Sequence, residues 1–159
     1  MAEYSTSADQ IVNPGESVTF DLAPSPCNRG FVRHRDGSGN FLLSGWMPSF
    51  GFHSGCQCSR NKSAQYSVNF SGNISVPTGG TAGEISLALA LDGATLPDGV
   101  MIVTPAAVEE YFNVNAMSSV DIWRGCCETV TVRNISDQAI QVRAGASINF
   151  ARPDLIVTY

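Results

Sequence analysis

The chain has 159 residues, 43% of them hydrophobic and 14% charged, which is enough for one domain with a sizeable core. Nine basic residues against 14 acidic ones give a formal net charge of −5, and no Lys or Arg run offers the basic footprint that nucleic-acid binding needs. The longest apolar run, ISLALAL, is too short for a membrane span, and MAEYSTSADQ lacks the basic and apolar regions of a signal peptide. We therefore expect no nucleic-acid partner, no membrane segment, and a protein that stays inside the cell or leaves it by lysis or an unusual route.

In chain order, residues 1–15 are predicted as an N-terminal arm and residues 16–159 as a single domain. Apolar residues at every second position indicate half-buried strands in ESVTFDL, AQYSVNF, EISLALAL, ETVTVRN, AIQVR and SINFARPDLIVTY. The separators, among them APSPCN, DGSGN, LDGATLPDG and RAGA, have turn composition. Only PAAVEEYFNVNAM has helical potential, and β-branched residues and Asn interrupt it. Many short strands without a good helix predict an all-β antiparallel sandwich or jelly roll.

The predicted core follows from the inward positions of these segments. Its members are Val18, Phe20, Phe31, Leu42, Tyr66, Val68, Phe70, Ile85, Leu87, Leu89, Leu91, Ile122, Val130, Val132, Ile140, Ile148 and Phe150.

Two segments are candidate oligomer interfaces. Opposite the leucines of EISLALALDG, the strand carries Ser86, Ala88 and Ala90, which are small for a solvated sheet face and would let a second subunit approach closely. A chance Ala-rich surface is the alternative. The loop GWMPSFGFH supplies Trp46, Phe50 and Phe52, which either pack over one end of the sandwich or a neighbouring subunit, or bind a ligand.

A family resemblance appears in the second half, residues 73–159. There NISVPTGG leads into the apolar strand EISLALAL and a DG turn, followed by the strands VTVRN and SINFARPDLIVTY. This order resembles the trimeric jelly-roll heads of the tumour-necrosis-factor and complement-head type, above all the bacterial heads that cap collagen-like exosporium glycoproteins. The chain lacks the Gly-X-Y repeat of the exosporium proteins. It is also similar to small proteins encoded by gut-dwelling Gram-positive bacteria and their prophages. The resemblance implies a jelly roll and a homotrimer.

The five cysteines raise the question of whether the thiols are free, bound to a metal or paired in disulfides. Adjacent strand residues point to opposite faces, so Cys126 and Cys127 cannot share one partner. We predict that they pair with Cys56 and Cys58, within or between subunits, once the protein meets an oxidising medium. Cys27 is then left over, either for an intermolecular bond or as a buried thiol.

Zinc is the alternative use of these thiols. Structural zinc sites typically use Cys-x2-4-Cys spacing, whereas this chain has Cys-x-Cys and Cys-Cys. A vicinal disulfide would need a strained turn in place of the strand. We therefore predict no metal and no cofactor, with zinc ligation kept open.

Catalytic groups are sparse. His53 lies near Cys56, but no nucleophile motif or orienting Asn or Asp accompanies the pair, and His34 fits a partly exposed strand position. The loops with Asp36, Asn40, Asp92 and Asp98 fit ordinary turns better than a calcium site. We predict that the protein is not an enzyme.

Two functions remain. The first is a trimeric virion subunit of a bacteriophage, most simply a capsid decoration or cement protein, whose partner would be the major capsid protein or another virion subunit. The second is a jelly-roll head on a phage fibre or spore surface that binds glycans or a host surface. The expected location is the virion, assembled in the host cytoplasm and released by lysis, with the spore surface as the alternative.

Overall fold

The computed structural model describes residues 1–27, 30–45, 63–125 and 127–153. Within these ranges the regular structure is β, with no α-helix and therefore no helix that is long and apolar enough to cross a membrane. The strands are β1 (Ala2–Ser5), β2 (Gln10–Val12), β3 (Leu22–Ser25), β4 (Val32–His34), β5 (Phe41–Ser44), β6 (Ser63–Ser75), β7 (Ile85–Leu91), β8 (Ala94–Val103), β9 (Phe112–Trp123), β10 (Cys127–Asn134), β11 (Ile140–Val142) and β12 (Ser147–Ala151).

The strands form two antiparallel sheets. The large sheet has the order β2-β11-β6-β12-β1-β3, and β9 pairs along the other edge of β6. The small sheet has the order β4-β5-β10-β7-β8. All named strand pairs are antiparallel. The predicted antiparallel sandwich is confirmed.

The core lies between the sheets, where alternate residues of each strand point inward. Phe41 on β5 is fully buried, and its ring contacts those of Phe20 and Phe150 at centroid distances of 5.2 and 4.9 Å. These edge and tilted aromatic contacts add to the free energy gained by burying the rings. The Tyr66 hydroxyl lies 3.0 Å from the Phe31 carbonyl oxygen and 2.6 Å from that of Ser44, so a β6 side chain of the large sheet reaches backbone at the β4–β5 end of the small one.

Two residues of the predicted core, Leu42 and Leu91, are not buried. On β5 the inward residues are Phe41 and Leu43, so Leu42 faces outward and is half-buried. The run FLL does not alternate with polar residues, so the sequence does not show which leucine points inward. Leu91 is half-buried because it ends β7 at the turn.

The segment predicted as an N-terminal arm contributes strands β1 and β2 to the large sheet. β1 lies between β12 and β3, with Ala2 opposite Phe150 and Tyr4 opposite Ile148. Ala2 and Tyr4 are buried within the chain. The segment looks like an arm in the sequence because Tyr4 is the only large apolar side chain of AEYS.

The predicted turn LDGATLPDG lies largely within strand β8. The turn itself is only Asp92–Gly93, both with positive φ (47° and 84°), as in a two-residue hairpin turn. The pairing of β7 with β8 shifts register between Ala88 and Ala90, at the stretch that contains Pro97 and Gly99. A Cβ on Gly99 would lie 2.7 Å from the Leu89 Cβ, so only glycine allows this close approach.

The segment with helical potential, residues 105–117, is also not a helix. It runs through bends and a turn into β9, whose twelve residues pair with β6 from Phe112↔Ile74 to Trp123↔Ser63. The alternation in FNVNAM buries Val114 and Ala116 on one face of a strand. This burial outweighs the local propensity of the segment for a helix.

Candidate subunit interface

The outer face of the large sheet carries short, mostly uncharged side chains. We call it the Ser/Asn face. It consists of Ser63, Gln65, Ser67, Asn69, Ser71 and Asn73 of β6, Asn113, Asn115, Met117, Ser119, Asp121 and Trp123 of β9, Ser147, Asn149 and Ala151 of β12, and Glu3 and Ser5 of β1.

Register makes this face continuous across four strands. One row runs Met117, Asn69, Asn149, Glu3 from β9 to β1, because each residue is the direct pairing partner of the next. Strands lie about 4.8 Å apart and rise about 3.3 Å per residue, so the face extends for roughly 40 Å along β6.

The face is nearly uncharged. Only Glu3 and Asp121 among its residues carry charge, and it contains no Lys or Arg. Ser and Asn side chains are short, so covering them costs less side-chain entropy than covering Lys or Glu, and a second protein can approach the backbone closely. This composition therefore favours burial of the face against a second protein.

The amides of the face have spare hydrogen-bonding capacity. Asn113 Nδ2 donates to Asn73 Oδ1 (3.3 Å) and to the Gly72 carbonyl oxygen (3.4 Å). Within the described ranges, Asn69, Asn115 and Asn149 have no side-chain hydrogen bond. A partner can therefore bond to these amides without breaking an existing intramolecular contact.

Two large apolar side chains stand on this face at the edge strand β9. Met117 is 66% exposed and Trp123 is 59% exposed. Exposed Met and Trp side chains on a nearly uncharged sheet face are typical of the anchors that carry binding energy in subunit interfaces.

The sequence-predicted interface on β7 has a different environment. Ser86, Ala88 and Ala90 are only 8%, 0% and 0% exposed in the single chain. Their neighbours on the outer face of the small sheet are larger, and Arg133 is paired with Ala88 while the 58% exposed Ile102 is paired with Ser86. A subunit contact at β7 stays a prediction, and its surface would come from these neighbours.

The remaining predicted site residues are described only in part. Cys127 begins β10 with an exposed free thiol, and Cys27 is half-buried against the core. Cys56, Cys58 and Cys126, and the aromatic residues Trp46, Phe50 and Phe52, lie outside the described residues, as does His53. The disulfide and aromatic-loop predictions therefore stay predictions.

Three acidic side chains, two of them from the loops weighed as a calcium site, make structural hydrogen bonds. Asp92 accepts a hydrogen bond from the Thr129 N–H (2.7 Å), Asp98 accepts one from the Ser118 hydroxyl (2.8 Å), and Glu110 accepts from the backbone N–H groups of Ala106 and Ala107 (2.9 and 3.2 Å). Among the described residues, no group of three or more His, Cys, Asp or Glu side chains is placed to hold a metal ion.

Two solved structures share this architecture. The globular domain of zebrafish complement 1qA matches with a TM-score of 0.60 at 13% identity, over 96% of this chain and 95% of that one. Murine APRIL matches with a TM-score of 0.62 at 11% identity, over 95% of this chain and 98% of that one. The fold is therefore the jelly roll of the complement-head and tumour-necrosis-factor type, as the resemblance implied.

Sequence comparison adds no closer relationship, because no family model and no curated protein matches the chain. A relation to exosporium heads or prophage proteins stays a prediction.

Proposed function

We propose that the protein is a non-enzymatic structural subunit that forms a closed homotrimer through the Ser/Asn face. The observation that carries the proposal is the composition of this face: mostly short side chains over four strands, charged only at Glu3 and Asp121, with Met117 and Trp123 at one edge. The jelly-roll fold supports it, since the resemblance to complement-head and tumour-necrosis-factor domains implies a trimer.

The proposed contact is between unlike surfaces. The β9 edge of one subunit, with Met117 and Trp123, packs on the β12–β1 side of the Ser/Asn face of the next. Repeating this contact about a threefold axis closes the ring, which avoids open-ended polymerisation. The uncharged amides and hydroxyls then hydrogen-bond across the interface.

The proposed biological setting is a bacteriophage virion, with the trimer acting as a decoration or cement protein on the capsid. Icosahedral lattices offer threefold positions that a trimer matches in symmetry. The small sheet would remain free on each subunit for contact with the major capsid protein or another virion component.

The test compares two exposed apolar residues on opposite sheets. Met117→Lys places a charge in the proposed interface, and Ile102→Lys places the same charge on the outer face of the small sheet, where the side chain is similarly exposed. Light scattering after size exclusion, with and without reductant, gives the mass of each variant, and circular dichroism verifies that each is folded.

A mass of three chains for the natural protein and Ile102→Lys, with one chain for Met117→Lys, is the expected result. A folded monomer of the natural protein would reject the trimer. If Met117→Lys remains a trimer and Ile102→Lys becomes a monomer, the subunit interface lies on the small sheet instead.

A further inference from the structure

A groove on the outer face of the small sheet runs along its β4 edge. We call it the Arg groove. Its lining residues are Arg33, His34, Arg35, Ser38, Asn40 and Leu42.

Two arginines line the groove. Arg33 on β4 pairs with Leu42, and Arg35 lies just beyond the end of β4, at the start of the turn to Ser38. Two residues of chain span at most about 7 Å, so the two guanidinium groups can reach neighbouring parts of one ligand.

Both guanidinium groups are exposed and uncommitted. Within the described ranges neither Arg33 nor Arg35 takes part in an ion pair or a side-chain hydrogen bond. Arg133, by contrast, donates to the carbonyl oxygens of Gly15 (3.0 Å) and Gly93 (3.1 Å). Two unpaired cations side by side stand out in a chain of net charge −5.

The walls of the groove are held in place from beneath. The ring of His34 stacks on Phe41 at a centroid distance of 4.3 Å, and its nitrogens lie 3.1 Å from the Asn40 carbonyl oxygen and 3.0 Å from that of Phe20. The Ser38 N–H donates to the Arg35 carbonyl oxygen (3.0 Å). Strand and loop are thus fixed relative to each other before any ligand binds, which lowers the cost of ordering them.

We propose that the Arg groove binds a carboxylate-bearing saccharide. Each guanidinium can hold a carboxylate through two parallel hydrogen bonds. The Asn40 amide and Ser38 hydroxyl suit sugar hydroxyl groups, and Leu42 offers an apolar surface for a sugar ring. The site is independent of the proposed trimer, because it lies on the other sheet.

Saccharide chemistry fits the groove better than an acidic peptide does. The lining side chains stand on the face above β4 and β5, whereas a peptide that adds a strand to the sheet would bond at the outer edge of β4, beside this face. An extended peptide would need free backbone partners along its length. A saccharide needs only the side-chain amide, hydroxyl and charges that this groove presents.

The test is isothermal titration of the natural protein with a short oligogalacturonate, the uncharged galactose oligomer of equal length, and an oligoglutamate. Arg33→Gln and Arg35→Gln each remove one guanidinium, and Arg35→Lys keeps the charge but loses the two-pronged geometry. Arg124→Gln makes the same charge change at an exposed residue outside the groove.

We expect oligogalacturonate to bind and the neutral oligomer and oligoglutamate to bind at least tenfold more weakly. Each of the three groove variants should lose about tenfold in affinity, and Arg124→Gln should lose none. Absence of binding by the natural protein would overturn the proposal. Equal loss in Arg124→Gln would show a non-specific charge effect instead, and equal or tighter oligoglutamate binding would make the groove a peptide site.

Discussion

Individual buried polar groups in this molecule differ in how well they are satisfied. The Tyr66 hydroxyl contacts two carbonyl oxygens, and Arg152 Nη1 lies 3.4 Å from it. Burial raises the pKa of Tyr66 and keeps its hydroxyl protonated and able to donate. This side chain joins the two sheets at little cost, because its polar atom is bonded on both sides of the core.

Glu128 is the opposite case. It pairs with Leu43, whose side chain is buried, so Glu128 points toward the core side of β10. Its Oε2 atom is buried and has no hydrogen-bond partner. Burial raises the pKa of Glu128 above the ordinary value of 4.5, and the Asp92 carboxylate raises it further.

Glu128→Gln should therefore stabilise the protein at neutral pH. Because the folded protein holds the Glu128 proton more tightly than the unfolded chain does, its stabilising effect is complete below pH 4.5 and is lost as pH rises through the folded pKa. Gln does not ionise, so the variant does not lose this stability as the pH rises. Urea unfolding between about pH 4 and 7 measures the difference, with Glu84→Gln at an exposed loop position as the control. Equal pH profiles for the Glu128 variant and the natural protein would contradict the assignment.

Among the described strands, β7 is buried most continuously along its length. Its residues from Ile85 to Ala90 are buried on both faces, by the large sheet on one side and by neighbours such as Arg133 on the other. Leu89 is fully buried and contacts the glycine at position 99, which brings β8 close to it.

Leu89→Ala should lower the free energy of unfolding by about 2 to 5 kcal/mol, because it opens a cavity that the paired strands cannot close. Ile102→Ala, at the exposed outer face of the neighbouring strand β8, should change it by less than about 0.5 kcal/mol. Chemical denaturation measures both. A near-neutral Leu89→Ala would mean that the space refills by repacking.

Strict alternation of large apolar residues predicts several strands correctly, but ESVTFDL alternates too and forms only isolated bridges at Ser17 and Phe20 before β3 begins at Leu22. β6, β7 and β10 are predicted correctly, and their inward residues Tyr66, Leu87 and Val132 are buried as expected. The strands β1 and β2 are too short and polar for the pattern to appear. The sequence does not reveal β8 because its Pro-Asp-Gly stretch favours a turn. In the structure this stretch forms an irregularity in an edge strand, where the missing backbone N–H of proline is tolerated.

The candidate interface is harder to predict from the sequence than the strands are. Alternating Ser and Asn in SVNFSGN and NVNAMSS mark outward positions, but outward polar residues are ordinary in any antiparallel sheet. Only the strand order brings Asn69, Met117 and Asn149 together into one continuous surface. The Arg groove likewise depends on a register, between β4 and β5, that local composition does not specify.

For the whole molecule, the proposed trimer should be insensitive to salt. Glu3 and Asp121 are the only charges on the Ser/Asn face, so screening has little attraction to remove, and apolar burial at Met117 and Trp123 strengthens slightly at high salt. Light scattering should give the same mass from about 0.05 to 1 M sodium chloride. Dissociation at high salt would point to ionic contacts between subunits. The opposite is expected of the Arg groove, whose ligand should dissociate as salt rises.

The pairing of β1 with β12 also constrains how the chain folds. Tyr4 pairs with Ile148, and β12 lies between β1 and β6, so the middle of the large sheet cannot form until β12 is available. Sheets built from such distant segments fold slowly, in milliseconds to seconds, because the loop must close before the contacts form. On a translating ribosome, β12 emerges after the other strands that the structure describes. The nascent chain would thus expose the edges of β1 and β6 throughout synthesis, which makes this interval the period when aggregation competes most strongly with folding.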